Sequence, residues 1–223
     1  MKNKIREILY SFLAIVVIMF LGFVPVGQKA FALNWSNMGI KMLETRVIDK
    51  EKFENLYNQR GGLSEPEKKL LYGTGNRDLV ITLENSGMML NMLWALGLGN
   101  KNPILENGPM MDSRYGGAER FASTGCWTLS EGNAMNHYSM HSLVTLTDEE
   151  QALVERVAKN VYRPCCKNST YFPDCNHGMA MLGLMELMAS QGATEDDMYK
   201  QAAEVNALWF PSQSQKVPAG CAA

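Results

Sequence analysis

Between positions 164 and 188 the chain reads Pro164-Cys165-Cys166, then eight residues, then Cys175-Asn176-His177-Gly178, and it passes directly into Met179-Ala180-Met181-Leu182-Gly183-Leu184-Met185-Glu186-Leu187-Met188. Three of the five cysteines and one of the three histidines therefore lie in one loop that ends where an apolar helix begins. Thiolate and imidazole are ligands for zinc and for copper, and Cys165, Cys166, Cys175 and His177 make an ordinary tetrahedral Cys3His set. The C-C-x8-C-x-H spacing is not a CxxC-type zinc signature, and the adjacent cysteines need a local turn to occupy two vertices. Cys175 falls at or just before the first helical turn, where unpaired N–H groups and positive potential favour a thiolate. Asp174 reads as a helix N-terminal acid in preference to a ligand.

The same residues admit two other readings. Cys175 bonded to Cys165 or Cys166 would staple the loop onto its flanking helices, with Cys126 and Cys221 as a further pair; the protein would then be a disulfide-stapled interaction module. Alternatively, Cys175 is the nucleophile of a thiol oxidoreductase and Cys165 or Cys166 resolves it. An odd number of cysteines leaves at least one thiol unpaired, bound to something, or joined to another molecule.

A second cluster is Met135-Asn136-His137-Tyr138-Ser139-Met140-His141. On a helix His137 and His141 lie one turn apart and can share an ion; on a strand they are ~13 Å apart and cannot. Thioether and imidazole together suit copper. The methionines of the two apolar stretches read as core filler. Glu186, the only charge in its helix, reads as that helix's exposed position. Asn168-Ser169-Thr170 is a glycosylation sequon. The sequence carries no serine elbow, phosphate loop, dinucleotide fingerprint or haem-attachment motif.

The elements that must position these groups are helical. Ser36 is available to cap a helix running to about Val47, and a polar helix spans about Glu51 to Gln59. Ser64-Glu65-Pro66-Glu67 and Thr147-Asp148-Glu149-Glu150 are capping boxes, for helices reaching Tyr72 and Tyr162, and Thr194 opens a last helix reaching about Trp209. The apolar stretch from Asp78 to Leu98 predicts a buried helix kinked at Ser86-Gly87. Gly97 to Gly117 reads as a long binding loop without periodicity, while Leu129 to His141 reads as helix and Ser142 to Leu146 as strand, both ambiguously. The expected fold is mostly all-α: a compact domain of six or seven helices over residues 33–210, with long loops and a flexible tail over 211–223.

Ahead of that domain, Lys2, Lys4 and Arg6 precede an uncharged apolar run from Ser11 to Val26 and then Ala30-Phe31-Ala32. This is a signal peptide over residues 1–32, or an N-terminal anchor attaching the protein to a membrane through residues 8–26. Export to the periplasm, the cell surface or the medium follows. The chain's formal net charge is −2; loss of the leader makes it more acidic, which excludes nucleic acid as a partner. The expectation is thus an exported transition-metal-binding protein that takes zinc or copper as its partner, with Cys165, Cys166, Cys175 and His177 as ligands and His137 and His141 as additional ones.

Overall fold

A computed structural model describes residues 31–75 and 77–211. Residues 1–30 of the expected leader, with the expected membrane segment over residues 8–26, lie outside the described residues, as do Cys221 and most of the tail. Nine α-helices are found among the described residues: α1 (Met38–Glu44), α2 (Lys50–Asn58), α3 (Glu65–Tyr72), α4 (Ser86–Gly99), α5 (Pro103–Asn107), α6 (Ala122–Gly125), α7 (Asp148–Asn160), α8 (Asn176–Ala189) and α9 (Glu195–Trp209). No strand occurs among the described residues, only isolated bridges such as Asn34 with Asp78 and Asn100 with His141. No helix among them is long and apolar enough to cross a membrane.

Helices α4 and α8 form the centre and pack more extensively on each other than on any other element. Both are buried on nearly every side, and Met88, Met89, Met92, Met179, Met181, Met185 and Met188 are all buried, as thioethers filling irregular gaps should be. Their crossing is backbone against backbone. A Cβ on Gly97 would stand 2.0 Å from the Met179 carbonyl oxygen, and one on Gly183 would stand 2.5 Å from that of Leu93. Only glycine at both positions allows this approach.

The shorter helices surround this pair and are fixed by their ends. In α7 the Thr147 hydroxyl accepts from the Glu150 N–H at 3.2 Å while the Glu150 carboxylate accepts from the Thr147 N–H at 2.8 Å. Equivalent boxes close on Ser64 with Glu67 for α3 and on Thr194 with Asp197 for α9. The Trp209 indole donates to the Ser86 carbonyl, tying the end of α9 to the start of α4.

Three expectations are corrected. The segment from Asp78 is not the first half of a kinked helix: Asn85 accepts from the Thr82 N–H and donates to the Val80 carbonyl, and this side-chain turn displaces helical pairing until Ser86. Val80 and Leu83 consequently face solvent. The stretch after Gly97 is not an open loop, because α4 continues to Gly99, α5 follows, and three single turns of 3₁₀ helix run from Pro109 to Arg120. The stretch from Leu129 to Leu146 is neither helix nor strand beyond one 3₁₀ turn at Ala134–Asn136 and the His141 bridge.

Candidate metal centre

Helix α7 ends at Asn160, and the chain turns back on itself before α8. Tyr162 pairs with Ser169 in an antiparallel bridge, the Arg163 N–H donates to the Asn168 carbonyl at 3.1 Å, and the Lys167 N–H donates to the Arg163 carbonyl at 2.9 Å. Lys167 takes a left-handed conformation, φ 60°, to close this turn. The turn is the local device that the adjacent pair Cys165 and Cys166 requires. Phe172 then packs edge-on to Phe121 and beside Tyr115, and the Ser123 N–H donates to the Asp174 carbonyl. The end of the long connection after α5 therefore buttresses the cysteine loop.

Cys175 is the N-cap of α8: its backbone is extended and its sulfur accepts from the Gly178 N–H at 3.4 Å. Cys165 Sγ stands 3.7 Å from Cys166 Sγ and 3.9 Å from Cys175 Sγ. Two sets converge with all donor atoms within 4.8 Å of one another, Cys165 with Cys175 and His177, and Cys166 with Asp174 and Cys175. Together these five residues form a group that could hold a metal ion.

These three cysteines are free thiols. A disulfide requires sulfurs ~2.05 Å apart, so the expected staple from Cys175 to Cys165 or Cys166 is not present. Cys126 is not one of the free thiols, and its expected partner Cys221 lies outside the described residues.

Arg163, which the sequence reading passed over, organises the loop. Its side chain is fully buried, and Nη2 donates to the Phe172 carbonyl at 2.9 Å and to Asp174 Oδ1 at 2.8 Å. The other Asp174 oxygen accepts from the Asn168 side-chain amide at 2.8 Å. Asp174 is thus a clasp between the two limbs of the loop, and the sequon's asparagine is committed to that clasp. The guanidinium lies so close to the start of α8 that a Cβ on Gly178 would fall 1.4 Å from Nη1. The signal was available in the sequence: a basic residue two positions before Cys165, and a glycine immediately after His177.

Protonation in the trio is shared. Cys166 is held well below an ordinary thiol, first by hydrogen bonding from Cys165 and then from Cys175, with the Asn168 backbone and the Arg163 charge assisting against burial. Cys165 is pushed up by those same hydrogen bonds to Cys166 and Cys175 and by burial. At Cys175 the hydrogen bond with Cys165 lowers the value, but the one with Cys166 and burial outweigh it and the net is upward. The thiolate expected at Cys175 is therefore formed more readily at Cys166. His177 is pushed down to about 4, mainly by burial and next by Arg163, with Cys166 opposing. Its ring packs against Phe210 and Trp209 and is neutral at pH 7, the form that binds metals.

His137, His141 and Cys126 belong to neither converging set. The two histidines do meet each other, although they are not on a helix: Ser139 between them adopts φ 55°, and His137 Nδ1 lies 3.0 Å from His141 Nε2. His137 is buried and its Nε2 contacts the Glu131 carbonyl at 2.8 Å. His141 is half-buried and lowered by that burial and by His137.

Glu186 overturns its expectation. It is fully buried, receives a hydrogen bond from the Asn102 amide, and is pushed up to about 8 by burial against the opposing Asn102 and Asn100 contacts. No protein-family description matches this chain, and no characterised protein or solved structure shows significant similarity to it.

Proposed function

We propose that this chain is an exported transition-metal-binding protein whose centre is Cys165, Cys166, Cys175 and His177, with zinc the ion that suits it best. The observation that carries the reading is the spacing of the sulfurs. Two thiolates each ~2.3 Å from a tetrahedral ion stand about 3.8 Å apart, and the observed separations are 3.7 and 3.9 Å. A neutral imidazole at His177 supplies the fourth donor. Arg163 offsets the charge that three thiolates bring, and Asp174 keeps it in place. Drawing Cys166 into the converging group of Cys165, Cys175 and His177 would complete four protein donors with no open vertex, which favours metal holding over hydrolysis. Export rests on the leader over residues 1–32, and in an oxidising compartment a bound ion protects the thiols from disulfide formation.

Elemental analysis of the purified protein, paired with a thiol count under denaturing conditions, tests this. Stoichiometric metal with reduced loop cysteines supports the centre. Metal-free protein, or a Cys175→Ser variant that retains full metal content, overturns it. Mass spectrometry of the processed N-terminus tests export separately.

A further inference from the structure

The turn from His137 to His141 holds a second pair of metal-competent nitrogens apart from the cysteine loop. The Glu131 carbonyl can only accept a hydrogen bond, so the proton of a neutral His137 sits on Nε2 and Nδ1 presents a bare lone pair toward His141 Nε2. An imidazole whose far nitrogen donates to a backbone carbonyl is in the arrangement that metal-ligating histidines adopt, because that bond fixes the tautomer and the ring plane.

We propose that His137 Nδ1 and His141 Nε2 form a second, independent site for a divalent ion of the zinc, copper or nickel class, with water in the remaining positions. Two imidazole nitrogens each ~2.0–2.1 Å from a tetrahedral ion stand about 3.3–3.4 Å apart; the observed 3.0 Å opens to that by a small ring rotation. Moving the His141 proton from Nε2 to Nδ1 frees the second lone pair, so the ion enters without net proton release. The half-exposed His141 leaves a path from solvent, whereas His137 is anchored inside.

The turn is held for this geometry. A left-handed serine costs ~1 kcal/mol or more and persists only where its surroundings fix it. Here the Ser139 N–H donates to the Leu98 carbonyl at 2.9 Å, the Ser139 hydroxyl accepts from the Asn102 N–H at 3.0 Å, and the His141 N–H donates to the Gly99 carbonyl at 2.8 Å. The C-terminal end of α4 thus presets both rings before any ion arrives.

The test is a zinc titration of the full chain, with thiols kept reduced, read against a chromophoric chelator. Wild-type protein is expected to show one equivalent more than His141→Gln, or to bind that equivalent at least tenfold more tightly. Cys175→Ser leaves the histidine equivalent intact, which separates this site from the cysteine centre whichever way that reading fares. Imidazole nitrogen resonances of the unsubstituted chain provide a check independent of folding: zinc should shift those of His137 and His141. A His141→Gln variant that binds as much zinc with equal affinity, or histidine resonances that do not move, overturns the proposal.

Discussion

Gly178 and Arg163 occupy one space, and the consequences of altering either are specific. Gly178→Ala puts a methyl where the guanidinium lies, and overpacking of this kind costs about 1–3 kcal/mol. It should also displace the charge that favours the Cys166 thiolate, so metal affinity should fall along with the denaturation midpoint. Arg163→Met leaves Asp174 without its ion-pair partner, and breaking such a pair costs about 3 kcal/mol. A double variant, Arg163→Met with Asp174→Asn, should recover part of that loss; a stability equal to the sum of the two single losses would mean that the clasp is not a coupled unit. Urea denaturation of the four proteins measures this directly.

On the scale of elements, Glu186 sets a pH dependence. The unfolded chain loses this proton above its ordinary value of 4.5, while the folded protein keeps it until about 8. Across that window the unfolded state binds fewer protons, so stability falls as pH rises, by about 3 kcal/mol between pH 4.5 and 7. Glu186→Gln, which keeps the hydrogen bond to Asn102 possible without the buried charge, should flatten the curve and raise the urea midpoint at pH 8 relative to wild type. Parallel pH curves for the two proteins would remove Glu186 as the cause. At the α4–α8 crossing, Gly97→Ala should be among the most damaging single changes in the chain, because the backbone on the other side cannot yield as a side chain would. A Thr147→Ala change at the α7 cap should cost only ~1 kcal/mol.

For the whole molecule, the ion and the fold are linked. Metal bound at a hundredfold excess over its dissociation constant stabilises the folded state by about 2.7 kcal/mol, which for a domain of this size is roughly 5–10 °C in Tm. Chelation should therefore lower the melting temperature by that amount, and by less in a variant lacking Cys165 and Cys175, where only an ion at His137 and His141 is left to remove. An unchanged Tm in the native protein would mean that the ion is not part of the folded domain's stability.

Much of this architecture could be read along the chain, because it depends on local chemistry. Capping boxes at Ser64, Thr147 and Thr194, the position of Cys175 at the start of α8, and the core role of the methionines follow from backbone donors and apolar faces within a few residues. The sequence also brought Cys165, Cys166, Cys175 and His177 under one suspicion. What it could not supply were the relations that exist only once distant segments meet. The burial of Glu186 is matched by Asn102 arriving from the cap of α5, and the choice of Cys166 over Cys175 for the thiolate depends on hydrogen bonding among three mutually close sulfurs. The meeting of His137 and His141 required neither of the regular structures considered, but an irregular turn pinned to the end of α4. Hydrogen-bonding partners and dielectric surroundings are properties of the packed chain, and they decide which of the candidate groups are charged, neutral or poised to bind an ion.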